Sequence, residues 1–209
     1  MLMPVLDDIQ VETLSQSATR SMQALLGESA ARHQHLCPRQ VLGVRMGLLG
    51  ARLLGVDLPD RAKRLLVIVE TDGCFADGLS VATGCTVGAR TLRLIDHGKV
   101  AAVFVDTKTD RAVRLVPSKS SRTLAREYAP LARSRWHAQL EAYQIMPEAE
   151  LFDVRPVELT LSLEKLLSKP GRKAICDQCG EEIINEREVM QDGQTLCRAC
   201  AGDSYWRGV

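Results

Sequence analysis

Near its end the chain reads CDQCGEEIINEREVMQDGQTLCRAC, placing Cys176, Cys179, Cys197 and Cys200 as C-x2-C-x17-C-x2-C. Two residues between the members of a pair let both thiolates reach one tetrahedral ion. The 17-residue loop is long enough to fold the second pair back onto the first. A segment of about 35 residues buries too little apolar surface to fold alone, so a metal has to supply its folding free energy. The spacing predicts a structural zinc module. Iron also binds four thiolates, and the ligand set alone does not separate the two metals.

The charge of this tail narrows its partners. From Arg172 to Val209 five basic residues face seven acidic ones, a net charge of −2. That is the wrong sign for affinity driven by phosphate backbones, so nucleic acid is not the expected partner. Tyr205 and Trp206 point instead to a protein partner, or to docking on the rest of the chain.

Ahead of the module lies SKPGRK, residues 168–173, a Pro-Gly flanked by bases that reads as a linker. The expected organisation is therefore a core domain over 1–167, a linker over 168–173 and a zinc-finger domain over 174–209. A hydrophobic content of 45% with 25% charged residues fits a soluble globular chain. Aromatic residues make up only 4%, so the core must be built from Leu, Val, Ile and Ala. The N-terminus lacks a basic stretch followed by an apolar run. The most apolar helical stretch, 41–56, is interrupted by Arg45 and Arg52 and too short to span a bilayer. The expectation is a cytoplasmic protein without a membrane segment. Thiols stay reduced there and are read as metal ligands or reactive groups before disulfides.

Within the core, residues 7–32 read as an amphipathic helix, with Ile9, Leu14, Met22, Leu25 and Leu26 on its stripe and Asp7 or Asp8 as cap. Pro38 suits the first turn of a second helix running to about Gly55. Gly43, Gly47 and Gly50 lie on one face of it. Each costs about 1 kcal/mol relative to Ala in a helix interior, so they mark close backbone approach or room for a ligand near Cys37. RLLVIVE (64–70) reads as a strand, and the following turns carry Cys74 and Cys85 around a short helix containing Asp77. Residues 89–117 read as three antiparallel strands turning at 96–99 and 108–110, and 119–145 as one long helix. A Pro-bounded extended segment closes the core. The fold class expected is α+β, helices packed on an antiparallel sheet, with a small four-cysteine finger at the end.

The other chemistry-bearing cluster is HQHLCP, residues 33–38, which holds two of the four histidines beside Cys37. Cys37 opens a helix, where the helix field favours a thiolate. Cys74 and Cys85 each stand next to a glycine in a turn, where a rigid scaffold presents chemistry. With His33, His35 and Asp77, the inventory suffices for a mixed His/Cys/carboxylate metal site or for a thiol nucleophile with a histidine base. His33 and His35 diverge on a helix and share a side only on extended chain, so one of them joins Cys37. His35 is preferred, because the chain is leaving the first helix there.

HQHLCP, the Gly-rich helix, ETDGCFADGLSVATGCTVG, VFVDTKTDRAVRLVP and the terminal cysteines together carry a family likeness. Over roughly residues 18–155 the chain resembles the FmdE family, the E component of formylmethanofuran dehydrogenase. The tail resembles the treble-clef zinc fingers of DksA and TraR proteins. The resemblance implies an α+β domain that pairs into intertwined homodimers, with a cleft able to hold a metal. It implicates His35, Cys37, Cys74, Asp77 and Cys85. It further implies a metal-binding accessory role, with zinc in the tail and a second transition metal on His35, Cys37, Cys74 and Cys85. The alternative is a cysteine- or metal-dependent enzyme using Cys37, His35 and Asp77 on a small carbonyl or one-carbon substrate. Two departures stand out: Gln34 and Arg39 replace glycines usual in the family's motif, and GARTL (88–92) replaces a G-K-G-N-L-like stretch.

Overall fold

The computed structural model describes residues 20–60 and 62–209. Ile9, Leu14 and the Asp7 or Asp8 cap lie outside the described residues. What is described of the first helix is α1, Met22–His33, capped by the Ser21 side chain accepting from the Ala24 amide. Leu25 and Leu26 face the core. Gln34 follows in the left-handed conformation, φ 61°. Glycine is the usual occupant of that position after a helix, so one of the two family glycines missing from this motif is missing where backbone freedom counts.

The second helix, α2 (Pro38–Leu54), is buried on nearly all sides and organises the domain. It packs against α3, Cys74–Thr83, with backbones almost in contact. A Cβ on Gly43 would overlap the Phe75 carbonyl oxygen, and one on Gly78 would stand 2.5 Å from the Gln40 carbonyl oxygen. Gly50 makes room for the Phe104 ring in the same way. The glycines thus serve close packing. Buried Gln40 ties the corner together, accepting from the Cys37 amide at 2.7 Å and donating to the Ser29 carbonyl oxygen at 2.7 Å.

The sheet orders five strands β2-β1-β3-β4-β5, namely β1 (Leu65–Val69), β2 (Leu92–Leu94), β3 (Ala102–Asp106), β4 (Ala112–Pro117) and β5 (Phe152–Val157). The sheet is mixed. β2 pairs parallel to β1, while β1–β3, β3–β4 and β4–β5 are antiparallel. The expected three-stranded meander over 89–117 therefore fails at its first hairpin. The reason is α3: a helix between two strands returns the chain to the end where the first strand began, so the next strand runs parallel. Residues 96–99 instead cross over the end of β1, with the amides of His97 and Lys99 donating to the Glu70 carbonyl oxygen.

The expected helix over 119–145 is also two, α4 (Ser121–Tyr128) and α5 (Arg135–Ile145). Pro130 disfavours helical backbone at Ala129, whose φ/ψ is −136°/66°, and the Ser134 side chain caps the restart. One turn, α6 (Glu148–Leu151), precedes β5.

The main core lies between α1, α2, α3, α5 and one face of the sheet. On the other face Leu66, Val105 and Ala112 are covered by Leu163 and Leu166 of α7, Leu163–Leu167. Two buried carboxylates are matched by arginines. Arg64 binds Asp106 through two hydrogen bonds of 2.8 and 2.7 Å, and Arg114 binds Glu70 through two of 2.6 and 2.8 Å. Beyond α7 two hairpins complete the chain, β6 (Lys173–Ile175) with β7 (Glu182–Ile184) and β8 (Val189–Gln191) with β9 (Gln194–Leu196). No helix among the described residues is long and apolar enough to cross a membrane.

Candidate functional site

In the tail each cysteine pair sits where a hairpin strand ends in a tight turn. Cys176 follows β6 and Cys197 follows β9, and the Gly180 amide turns back onto the Cys176 carbonyl oxygen at 2.9 Å. One sulfur atom from each of Cys176, Cys179, Cys197 and Cys200 lies within 4.8 Å of the other three, and Cys179 and Cys197 are 4.0 Å apart. A tetrahedral zinc with bonds of about 2.3 Å needs sulfur atoms about 3.8 Å apart. The donor set fits. Backbone amides of Cys179 and Cys197 hold the Cys176 thiol down to about 6, while the Cys197 sulfur beside it pushes Cys200 up to about 12. Four sulfurs this close cannot all be thiolates without a cation among them. The local apolar cluster is only Cys176, Ile183 and Leu196, with a few half-buried neighbours.

In the core the structure brings together a different set from the one preferred from sequence. Cys37, just before α2, and Cys74, which opens α3, line the same cleft, with their thiols near enough to influence one another. Burial pushes the Cys74 thiol up, and the Cys37 thiol beside it adds to the effect. Behind them stands His33, the last residue of α1. Its Nδ1 lies 4.0 Å from the Cys74 sulfur, and its Nε2 lies 2.5 Å from Oδ2 of Asp77. A carboxylate on one ring nitrogen fixes the tautomer and aims the other.

His33 therefore takes the place expected of His35. The latter is exposed, with its Nδ1 on the His33 carbonyl oxygen at 2.9 Å and its ring centroid 6.3 Å from that of His33. α1 runs on to His33, which keeps that ring over α3, and the left-handed turn at Gln34 sends His35 outward. Cys85 is also elsewhere. It lies beyond the far end of α3, about 15 Å along the helix from Cys74. There it is buried in the main core with its thiol donating to the Leu65 carbonyl oxygen, so no cleft site includes it. Among the described residues only the tail cysteines bring three or more ligand atoms within 4.8 Å of one another.

The cleft has a volume of about 850 Å³. Cys37 and Cys74, Trp136 and Tyr143 of α5, and the cations Arg39, Lys99, Lys119 and Arg122 all line it. The tail ligands and the cysteine at α2 were readable from spacing. His33 was a candidate that spacing ranked below His35, and Gln40 and the basic residues were not readable. Only Gln40 left a signal, a Gln three residues after a helix cap.

A family model described as FmdE, Molybdenum formylmethanofuran dehydrogenase operon, matches residues 32–153. The chain belongs to the FmdE family. A second model, the prokaryotic dksA/traR C4-type zinc finger, matches residues 169–205. A crystal structure of a tungsten formylmethanofuran dehydrogenase FmdE-like protein from Syntrophus aciditrophicus has the same fold. Its TM-score is 0.57 at 20% identity, covering 90% of this chain and 96% of that one. A protein of Archaeoglobus fulgidus named "Probable S-adenosyl-L-methionine-binding protein" is 29% identical over 199 residues, 83% of this chain and 51% of that protein. This chain spans about half the length of that relative. The chain thus joins an FmdE domain to a zinc finger whose four cysteines form a metal-binding cluster.

Proposed function

We propose that the FmdE domain holds a second, exchangeable transition metal in its cleft, apart from the structural zinc of the tail. The observation that carries this is the adjacency of the Cys37 and Cys74 thiols at the cleft wall, with His33 beside Cys74 and oriented by Asp77. Two thiolates and an imidazole suit a borderline or soft metal. Three protein ligands leave a position open for exchange with a ligand or a partner site. His33 replaces His35 in this proposal, and Cys85 takes no part.

Elemental analysis of anaerobically purified protein tests the reading. Wild type is expected to carry two metals per chain, Cys37→Ser one and Cys176→Ser one. A single metal, untouched by Cys37→Ser and by Cys74→Ser, would sink the second site. It would favour the thiol-enzyme alternative, for which Asp77, His33 and Cys74 are arranged as carboxylate, base and nucleophile.

The same reading takes the protein as a cytoplasmic homodimer with a core domain over 1–167, a linker over 168–173 and a finger over 174–209 that meets a protein partner. Leu131 is 97% exposed and Ile145 65%, which supports pairing near α5; Tyr205 is 98% exposed, which supports a contact through the tail. Sedimentation velocity of the full chain distinguishes monomer from dimer.

A further inference from the structure

We propose that the basic wall of the cleft is a receptor for a small organic phosphate, which would lie between the cations and the thiol pair. The inference deepens the cleft reading, but its ionic contacts need no metal. Arg39, Lys99, Lys119 and Arg122 all line the cleft, and no aspartate or glutamate lines it. None of the four forms an ion pair among the described residues. Two acids on adjoining elements are already matched, Asp77 to His33 and Glu70 to Arg114.

These cations come from three separate stretches of chain, the start of α2, the crossover before β3 and the β4–α4 junction. Four like charges converging on one concavity repel one another, and a multiply charged anion among them relieves that repulsion. Phosphate suits the set because arginine grips its oxygens in pairs while lysine serves as a point charge. Ser118 also lines the cleft. A cleft of about 850 Å³ holds far more than a phosphate ion. Leu42, Val100, Trp136 and Tyr143 line the remainder with apolar and aromatic surface. A cleft lined by both cations and apolar surface can orient a ligand with a phosphate at one end and a ring or chain at the other. Its far end is then delivered to Cys37 and Cys74.

The test uses full-length, zinc-loaded protein carrying Trp206→Phe, which leaves Trp136 as the single tryptophan of the two in the chain. Adenosine diphosphate and pyrophosphate are titrated against its fluorescence, with succinate as a carboxylate comparison. Saturable binding of both phosphates is expected, with the nucleotide at least as tight. Arg39→Gln and Lys119→Gln should each weaken it about tenfold, the loss of one charge-assisted contact. Lys173→Gln, in the tail, should leave it unchanged. The proposal fails if nothing saturates by about 10 mM, if Lys173→Gln weakens binding as much as Arg39→Gln, or if succinate binds more tightly. Preference for pyrophosphate over the nucleotide would overturn the organic part. Cys37→Ser separates the two readings. Phosphate binding retained there without a cleft metal supports the anion receptor on its own. A cleft metal in wild type without phosphate binding supports the metal reading and overturns this one.

Discussion

The tail and the core cleft both present cysteines, but they relate to folding in opposite ways. In the tail, four sulfurs converge within 4.8 Å while the surrounding apolar cluster amounts to Cys176, Ile183 and Leu196, one of them a ligand itself. Metal binding and folding are a single event there. In the core, Cys37 and Cys74 stand at the edge of an apolar cluster built from helices and a sheet. That cluster holds the fold without them. A cysteine that builds a fold is surrounded by other ligands; one that works in a fold is surrounded by a scaffold.

The largest effect that would break this comparison is metal removal. Structural zinc contributes about 10–16 kcal/mol to folding of such modules. Chelation or Cys176→Ser should therefore abolish hydrogen-exchange protection over residues 173–201 and leave that of β1 and β3 intact. Cys37→Ser, by contrast, should change the stability of the core by about 1 kcal/mol or less. Equal losses from the two variants would end the distinction.

Next in size is Gly43→Ala. Helix propensity alone favours alanine by about 1 kcal/mol. The new methyl group, however, would overlap the Phe75 carbonyl oxygen, which is backbone and cannot swing away. A net loss of about 3 kcal/mol in denaturant unfolding is expected. Any stabilisation would mean that α2 and α3 are not in backbone contact.

The Asp106–Arg64 pair follows, at a similar or smaller magnitude. Asp106→Ala leaves Arg64 without its partner and should cost about 3 kcal/mol. Two hydrogen bonds from Arg64 hold the fully buried Asp106 carboxyl well below the usual carboxylate range. Its contribution is accordingly complete above about pH 4, the unfolded value, and is lost as pH falls below it toward the folded one. Wild type should lose stability over that range, and Asp106→Ala should lose less.

The smallest effect sharpens the cleft side. Gln34 holds φ 61° at the end of α1, a conformation that costs a side-chain-bearing residue about 1–2 kcal/mol. Part of this is offset by the greater chain entropy of an unfolded glycine. Gln34→Gly should stabilise the core by about 0.5–1 kcal/mol in thermal unfolding, leaving the tail unaffected.

Local spacing made the tail legible, because each cysteine pair reaches its ion through two intervening residues and needs nothing else. The same holds for α2, whose opening proline and internal glycines announced a helix that another backbone approaches. Strand β1 was visible as an apolar run, but its neighbours were not. Whether β2 runs with or against it depends on where α3 delivers the chain. The core site failed the same way. His33 and His35 differ by two residues, and a left-handed turn at Gln34 decides which of them faces Cys74. Cys74 and Cys85 look alike in their turns, yet the length of α3 puts one at the cleft and the other in the core.

By itself the sequence determined the zinc ligands, the α+β class, the family and the cysteine that begins α2. Tertiary structure alone decided the parallel edge strand, the choice of histidine, the exclusion of Cys85 and the gathering of four cations around one cleft. Ligand spacing and helix periodicity act over a few residues. The cleft is assembled from α2, α3, the crossover before β3, the β4–α4 junction and α5, and the chain records no local trace of how those distant pieces meet.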